Sequence, residues 1–124
     1  MRIANPETHR SGLSNPDQRA VTGTALYSSS DSRMKTNVSP LADALTKITS
    51  LSGIYYDWMR DSFPNYEFDS TRQIGFIAQN VQPIVPEVVR TDKNGYLTLD
   101  YGRLVPVLVE AIKEQQAQDR KSVV

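Results

Sequence analysis

The chain has 124 residues, with 14 lysines and arginines against 14 aspartates and glutamates, and no cysteine. That length holds it to one domain's worth of core. The charge balance gives no global attraction to nucleic acid or an anionic membrane, and the missing thiols exclude disulfides and thiolate metal sites.

No stretch approaches the roughly 20 apolar residues of a bilayer span. The opening Met1-Arg2-Ile3-Ala4-Asn5-Pro6 lacks the apolar run of a secretory signal. Residues 1–29 are rich in Asn, Ser, Thr, Pro, Gly and Arg, with turn signals at Asn5-Pro6 and Asn15-Pro16 and the single histidine, His9, in a polar setting. Such a segment is better suited to adding strands to an assembly than to packing a core alone.

Ser39 suits a helix N-cap and Pro40 the first helical position, where its missing N–H costs nothing. Leu41, Leu45, Ile48 and Leu51 then recur at helical spacing, predicting a helix over about 40–51 that stops at Ser52-Gly53. Ile54 to Trp58 reads as a strand with Ile54, Tyr56 and Trp58 on one face. After a polar loop with aromatic anchors, Gln73 to Ile77 reads as the return strand. Ala78 to Val85 reads as a short helix strained by Pro83 and ended by Pro86.

Val88-Val89-Arg90 and Tyr96 to Leu99 are two strands around Asp92-Lys93-Asn94-Gly95, where Asn-Gly supplies the positive φ angles of a tight hairpin. Asp100 is placed to cap a first turn, and Pro106 to begin a final helix running to about Arg120. Leu104, Leu108, Ala111 and Ile112 fall on one side of it. Beyond Ile112 the helix is polar, so it must sit in water or lie against a partner. The predicted fold class is α+β: small antiparallel sheet elements, a short packing helix and a long C-terminal helix.

The chemistry concentrates in Ser28-Ser29-Ser30-Asp31-Ser32-Arg33-Met34-Lys35-Thr36-Asn37. A serine hydroxyl is a poor nucleophile until a base takes its proton, and a lysine amine serves as that base only when uncharged. An ordinary lysine is neutral about once in 2,500 at pH 7. Desolvation, or a nearby cation such as Arg33, would raise that fraction, so the site calls for a folded wall around Lys35. Ser30 and Lys35 are five residues apart. That spacing puts them on opposite faces of a strand and roughly 500° apart around a helix, so they meet only across a turn. Asp31-Ser32 is suited to make it through side-chain-to-backbone hydrogen bonds. Attack by the Ser30 hydroxyl on the Ser29 carbonyl would give an ester that water then hydrolyses. Backbone N–H groups or the Asn37 amide are open alternatives for holding the oxyanion.

Ser30-Asp31-x-Arg33-x-Lys35-x-Asn37, followed by a helix and Tyr56-Asp57-Trp58, resembles the intramolecular chaperone domain of phage tailspikes and endosialidases, the peptidase S74 domain, with a related copy in the myelin regulatory factor. The likeness continues through Ile74-Gly75-Phe76-Ile77-Ala78-Gln79-x-Val81, Pro86-Glu87-Val88-Val89 and Asp100-Tyr101-x-x-Leu104-Val105-Pro106. It ends in Leu108-Val109-Glu110-Ala111-Ile112-Lys113, covering roughly residues 28–118. The resemblance implies a domain of residues 30–124, working as an intertwined homotrimer at the C-terminus of a fibre or tailspike. It would hold three chains while the upstream β-structured stalk assembles, residues 1–29 being the stalk's last portion.

It would then release itself by autoproteolysis at the Ser29–Ser30 junction, with Ser30 and Lys35 as the catalytic serine–lysine dyad and Asp31, Arg33 and Asn37 in support. The implied setting is a phage fibre precursor assembled in the host cytoplasm, with the released chaperone absent from the mature particle. Neither cofactor, metal, nucleic acid, membrane nor small-molecule substrate is expected. Three adjacent serines leave the scissile bond open by one residue, and cleavage within one chain or between chains stays open. The alternative is a non-cleaving trimerisation module. A third reading is a monomeric peptide binder using Tyr55, Trp58, Phe63 and Tyr66 as an aromatic patch.

Overall fold

The computed structural model describes residues 27–123. His9, both Asn-Pro turn signals and most of the segment 1–29 lie outside them. The chain divides into two units, residues 1–39 and residues 40–124.

The second unit is α+β. In chain order it holds α1 (Ala44–Thr49), β1 (Ile54–Tyr56), β2 (Gln73–Gly75), α2 (Ala78–Val81), β3 (Val89–Thr91), β4 (Leu97–Leu99) and α3 (Leu104–Val123). Single 3-10 turns at Pro64–Tyr66, Pro86–Val88 and Tyr101–Arg103 link them. The strands form two separate antiparallel ribbons. Ile54 lies opposite Gly75 in one, and Val89 opposite Leu99 in the other.

Ala44, Val81, Val85, Val88, Leu104, Val107 and Ala111 are buried and form one core, with Leu45, Ile48, Leu51, Phe76, Ile84, Val89 and Leu99 packed against it. The core therefore sits where α1, the α2 region and the first half of α3 meet. The face of α3 differs from the expected one. Leu104 and Ala111 point inward together with Val107, while Leu108 and Ile112 are 44% and 64% exposed. Leu104, Val107 and Ala111 (i, i+3, i+7) make one stripe. Val105, Leu108, Val109 and Ile112 make a second, which stays open to water.

Helix α1 starts later than expected and takes its cap from elsewhere. Asp43 adopts a left-handed conformation (φ 58°), which breaks helical continuity from Ser39 and Pro40. The backbone N–H groups of Ala44 and Leu45 donate instead to the two carboxylate oxygens of Glu114, each at 3.0 Å. A carboxylate at a helix N-terminus satisfies orphan donors and meets the positive end of the peptide dipoles. Because Glu114 lies on α3, this one side chain ties the two helices together. Glu114→Ala is expected to destabilise the protein by about 1–3 kcal/mol, the range for leaving partly buried donors unpaired. Urea unfolding measures this, with Glu114→Gln falling between variant and wild type because one acceptor oxygen remains.

Two further departures concern turns. The Asp100 carboxylate does not cap the turn after it but accepts from Arg103 Nε at 2.8 Å. Helix α3 begins at Leu104, with Pro106 inside its first turn, where a missing N–H is harmless. In the β3–β4 hairpin only Gly95 of the Asn-Gly pair takes a positive φ (92°). The Asp92 carboxylate accepts the N–H groups of Asn94 and Tyr96 at 2.9 Å, making a type I turn closed by a glycine bulge. Those backbone bonds, led by that of Tyr96, hold the Asp92 carboxyl below its usual value.

Gly75 has no room for a side chain, because the Tyr101 hydroxyl occupies the space a Cβ would need and accepts the Phe76 N–H at 3.0 Å. The loop between β1 and β2 folds its aromatics onto one another. Trp58 stacks on Phe68 at 3.9 Å between centroids, and Phe63, Tyr66 and Tyr96 meet edge to face. Tyr55 is absent from this cluster, being exposed with the Arg72 guanidinium 5.3 Å above its ring. The four residues of the suggested patch thus do not form one surface.

Candidate active site

Residues 27–39 of the first unit are described on their own. The chain arrives at Asp31 extended (φ −71°, ψ 134°), makes one 3-10 turn over Ser32–Met34, and leaves extended at Lys35 (φ −117°, ψ 149°). Met34 N donates to the Asp31 carbonyl at 3.0 Å, and Lys35 N to the Ser32 carbonyl at 3.2 Å. Asp31 Oδ1 accepts the Arg33 N–H at 2.9 Å, the side-chain-to-backbone bond that an aspartate at the head of a turn supplies. One turn between two extended arms folds the arms toward each other.

The two arms carry Ser30 and Lys35. Lys35 Nζ donates to Ser30 Oγ at 2.8 Å. Neither Ser28 nor Ser29 makes such a bond to the amine among the described residues. Asn37 lies two residues past Lys35 with a left-handed backbone (φ 56°), a conformation asparagine tolerates better than most residues. Its amide makes no hydrogen bond among the described residues.

Arg33 does not stand beside the lysine as a bare cation. Its Nε and Nη2 clasp the Asp31 carboxylate at 3.1 and 2.8 Å. The guanidinium, helped by the Arg33 backbone N–H, holds the Asp31 carboxyl below its usual value, and Asp31 in turn raises that of Arg33. The clasp pairs Arg33 with Asp31, the neighbour two residues back, where the sequence alone offers Arg33 as a cation near Lys35. Every residue from 27 to 39 is exposed, so this segment does not itself build the apolar wall that an uncharged lysine calls for.

The arrangement is a hydroxyl and an amine in contact beside the Ser29–Ser30 amide, followed by a small α+β unit that ends in a long helix. Fold and motif order together define a domain of the fibre-chaperone class. Residues 30–90 match the family described as chaperone of endosialidase, and the chain belongs to this peptidase S74 family. It is 34% identical over 97 residues to the long tail fiber protein Gp37 of Enterobacteria phage K3, and equally to that of Enterobacteria phage T2. Both alignments cover 75% of this chain but only 8% and 7% of the relatives, so the chain spans less than a tenth of their length.

Proposed function

We propose that residues 30–124 are the C-terminal intramolecular chaperone of a phage fibre polypeptide. Three copies associate, hold the upstream stalk in register while it folds, and then cut themselves free between Ser29 and Ser30. The observation that carries the cleavage step is the 2.8 Å contact between Lys35 Nζ and Ser30 Oγ across a turn that the local sequence dictates. Uncharged Lys35 takes the hydroxyl proton as Ser30 Oγ attacks the Ser29 carbonyl carbon. The Ser29–Ser30 C–N bond breaks, and the proton passes to the departing Ser30 amine. The resulting ester is opened by water, leaving a carboxylate on Ser29 and a free amine and hydroxyl on Ser30.

Association supplies what the isolated segment lacks. Lys35 is exposed in the single chain, and a wall contributed by neighbouring copies would desolvate it. The open stripe Val105, Leu108, Val109 and Ile112 on α3 is the surface that favours association. On this reading the precursor assembles in the host cytoplasm, and residues 30–124 do not persist in the finished fibre.

The test is the intact mass of the purified protein. Cleavage gives two pieces, residues 1–29 and 30–124, and the masses fix the bond among Ser28, Ser29 and Ser30. A full-length mass from a folded trimer would instead support the second reading, a trimerisation module with a silent site. The exposure of Lys35 in the single chain is the observation that favours that reading.

A further inference from the structure

We propose that Asp31 and Arg33 are a positioning clamp for the self-cleavage reaction: Arg33 fixes the Asp31 carboxylate, which fixes the turn that sets Ser30 against Lys35. The inference rests on the self-cleavage reading and assigns Arg33 a role in geometry, not in the electrostatics of the lysine. Asp31 Oδ1 receives two bonds, from the backbone N–H of Arg33 at 2.9 Å and from its Nε at 3.1 Å, while Oδ2 receives Nη2 at 2.8 Å. The carboxylate is therefore held at three points, all supplied by one residue inside the turn it caps. A planar fork supplies the two side-chain points; a lysine side chain at position 33 would replace that fork with a single ammonium beside the same backbone N–H.

An exposed ion pair adds little to stability. What this one fixes is direction. With Asp31 held, the first peptide of the turn is oriented and its two arms converge, bringing the hydroxyl and amine to 2.8 Å. Reaction rate depends far more steeply on such placement than stability does, since a misplacement of about 1 Å costs on the order of 10²-fold. The charged side chains of residues 27–39 are Asp31, Arg33 and Lys35. With the Arg33 charge facing Asp31, the lysine is left without a dedicated cation from its own segment. The depressed Asp31 carboxyl agrees with the clasp.

The experiment follows cleavage by intact mass against time, over a series of pH values, in folded protein matched by circular dichroism. Asp31→Ala removes both functions of the carboxylate and is expected to slow cleavage by about 10-fold or more. Asp31→Asn keeps an acceptor for the backbone N–H and is expected to be slowed less. Arg33→Ala is expected to be slowed with the midpoint of its pH profile unmoved, and Arg33→Lys to fall between it and wild type. A midpoint displaced to higher pH in Arg33→Ala would make Arg33 an electrostatic activator and overturn the clamp. Wild-type speed in Asp31→Ala would overturn it too, in each case leaving self-cleavage standing.

Absence of cleavage in wild type would strike the parent reading instead. The clamp is then judged in Ser30→Ala by the carbon resonance of the Asp31 carboxyl. It is expected to titrate at lower pH with Arg33 present than in the Arg33→Ala, Ser30→Ala double variant, and identical titrations would remove the clamp as well.

Discussion

Ser30→Ala is expected to leave every chain of the folded protein at full length, a complete loss of the smaller fragment on a denaturing gel. Alanine removes the oxygen that accepts from Lys35 Nζ at 2.8 Å while leaving the turn intact, because the bonds of that turn come from Asp31, Ser32, Arg33, Met34 and Lys35. Lys35→Ala should be equally silent, since no other basic side chain is bonded to Ser30 Oγ among the described residues. Lys35→Arg is the sharper variant. It keeps the positive charge and much of the length, but a guanidinium stays protonated in proteins and cannot act as the base. Cleavage surviving in Lys35→Arg would rule out the amine as proton acceptor. Ser28→Ala and Ser29→Ala should both still be cut at the same bond, because neither hydroxyl meets the amine. Loss of cutting in Ser29→Ala, with Ser30→Ala active, would move the nucleophile back by one residue.

The difference between these serines was not readable from order alone. Three identical hydroxyls precede the turn, and spacing says only that a bend is needed. Asp31-Ser32 made the bend legible, since an aspartate at the head of a turn has a backbone N–H two residues on to bind. The partner of Arg33 was harder. A nearby-cation role for Arg33 suits the chemistry of a lysine base, but the nearer carboxylate wins because a fork geometry satisfies both its oxygens.

The α+β class and the order of elements were legible because Gly, Pro and Asn-Gly punctuate short runs of clear periodicity. The cap of α1 was not. Glu114 lies in a polar stretch of α3 that sequence assigns either to water or to a partner, and only the packing of the two helices brings its carboxylate to Ala44 and Leu45. The rotation of α3 was misread for a related reason. Residues 104–112 are apolar at most positions, so two stripes fit helical spacing equally well. The choice falls to Val107, which packs with Ala44 and Val88 in the core.

That rotation sets up the second large effect. With Leu104, Val107 and Ala111 committed to the core, Val105, Leu108, Val109 and Ile112 form an apolar stripe at i, i+3, i+4 and i+7 that stays 44–64% exposed. Leu108→Glu with Ile112→Glu is expected to convert the proposed trimer into a monomer by light scattering, with the fold retained because both positions lie off the core face. Fully burying a Leu or Ile side chain is worth about 1.5–3 kcal/mol. These two are already partly covered, so losing their burial costs about half of that each, roughly 1.5–3 kcal/mol together per helix. Desolvating two new carboxylates per chain adds further penalty, which puts the association constant down by on the order of 10² or more. The same double variant should also be uncut, because the exposed Lys35 would lose the wall proposed to come from neighbouring copies. The two readouts separate the ideas. A trimer that persists would move the interface off this stripe, while a monomer that still cleaves would show that the amine needs no neighbour to lose its charge.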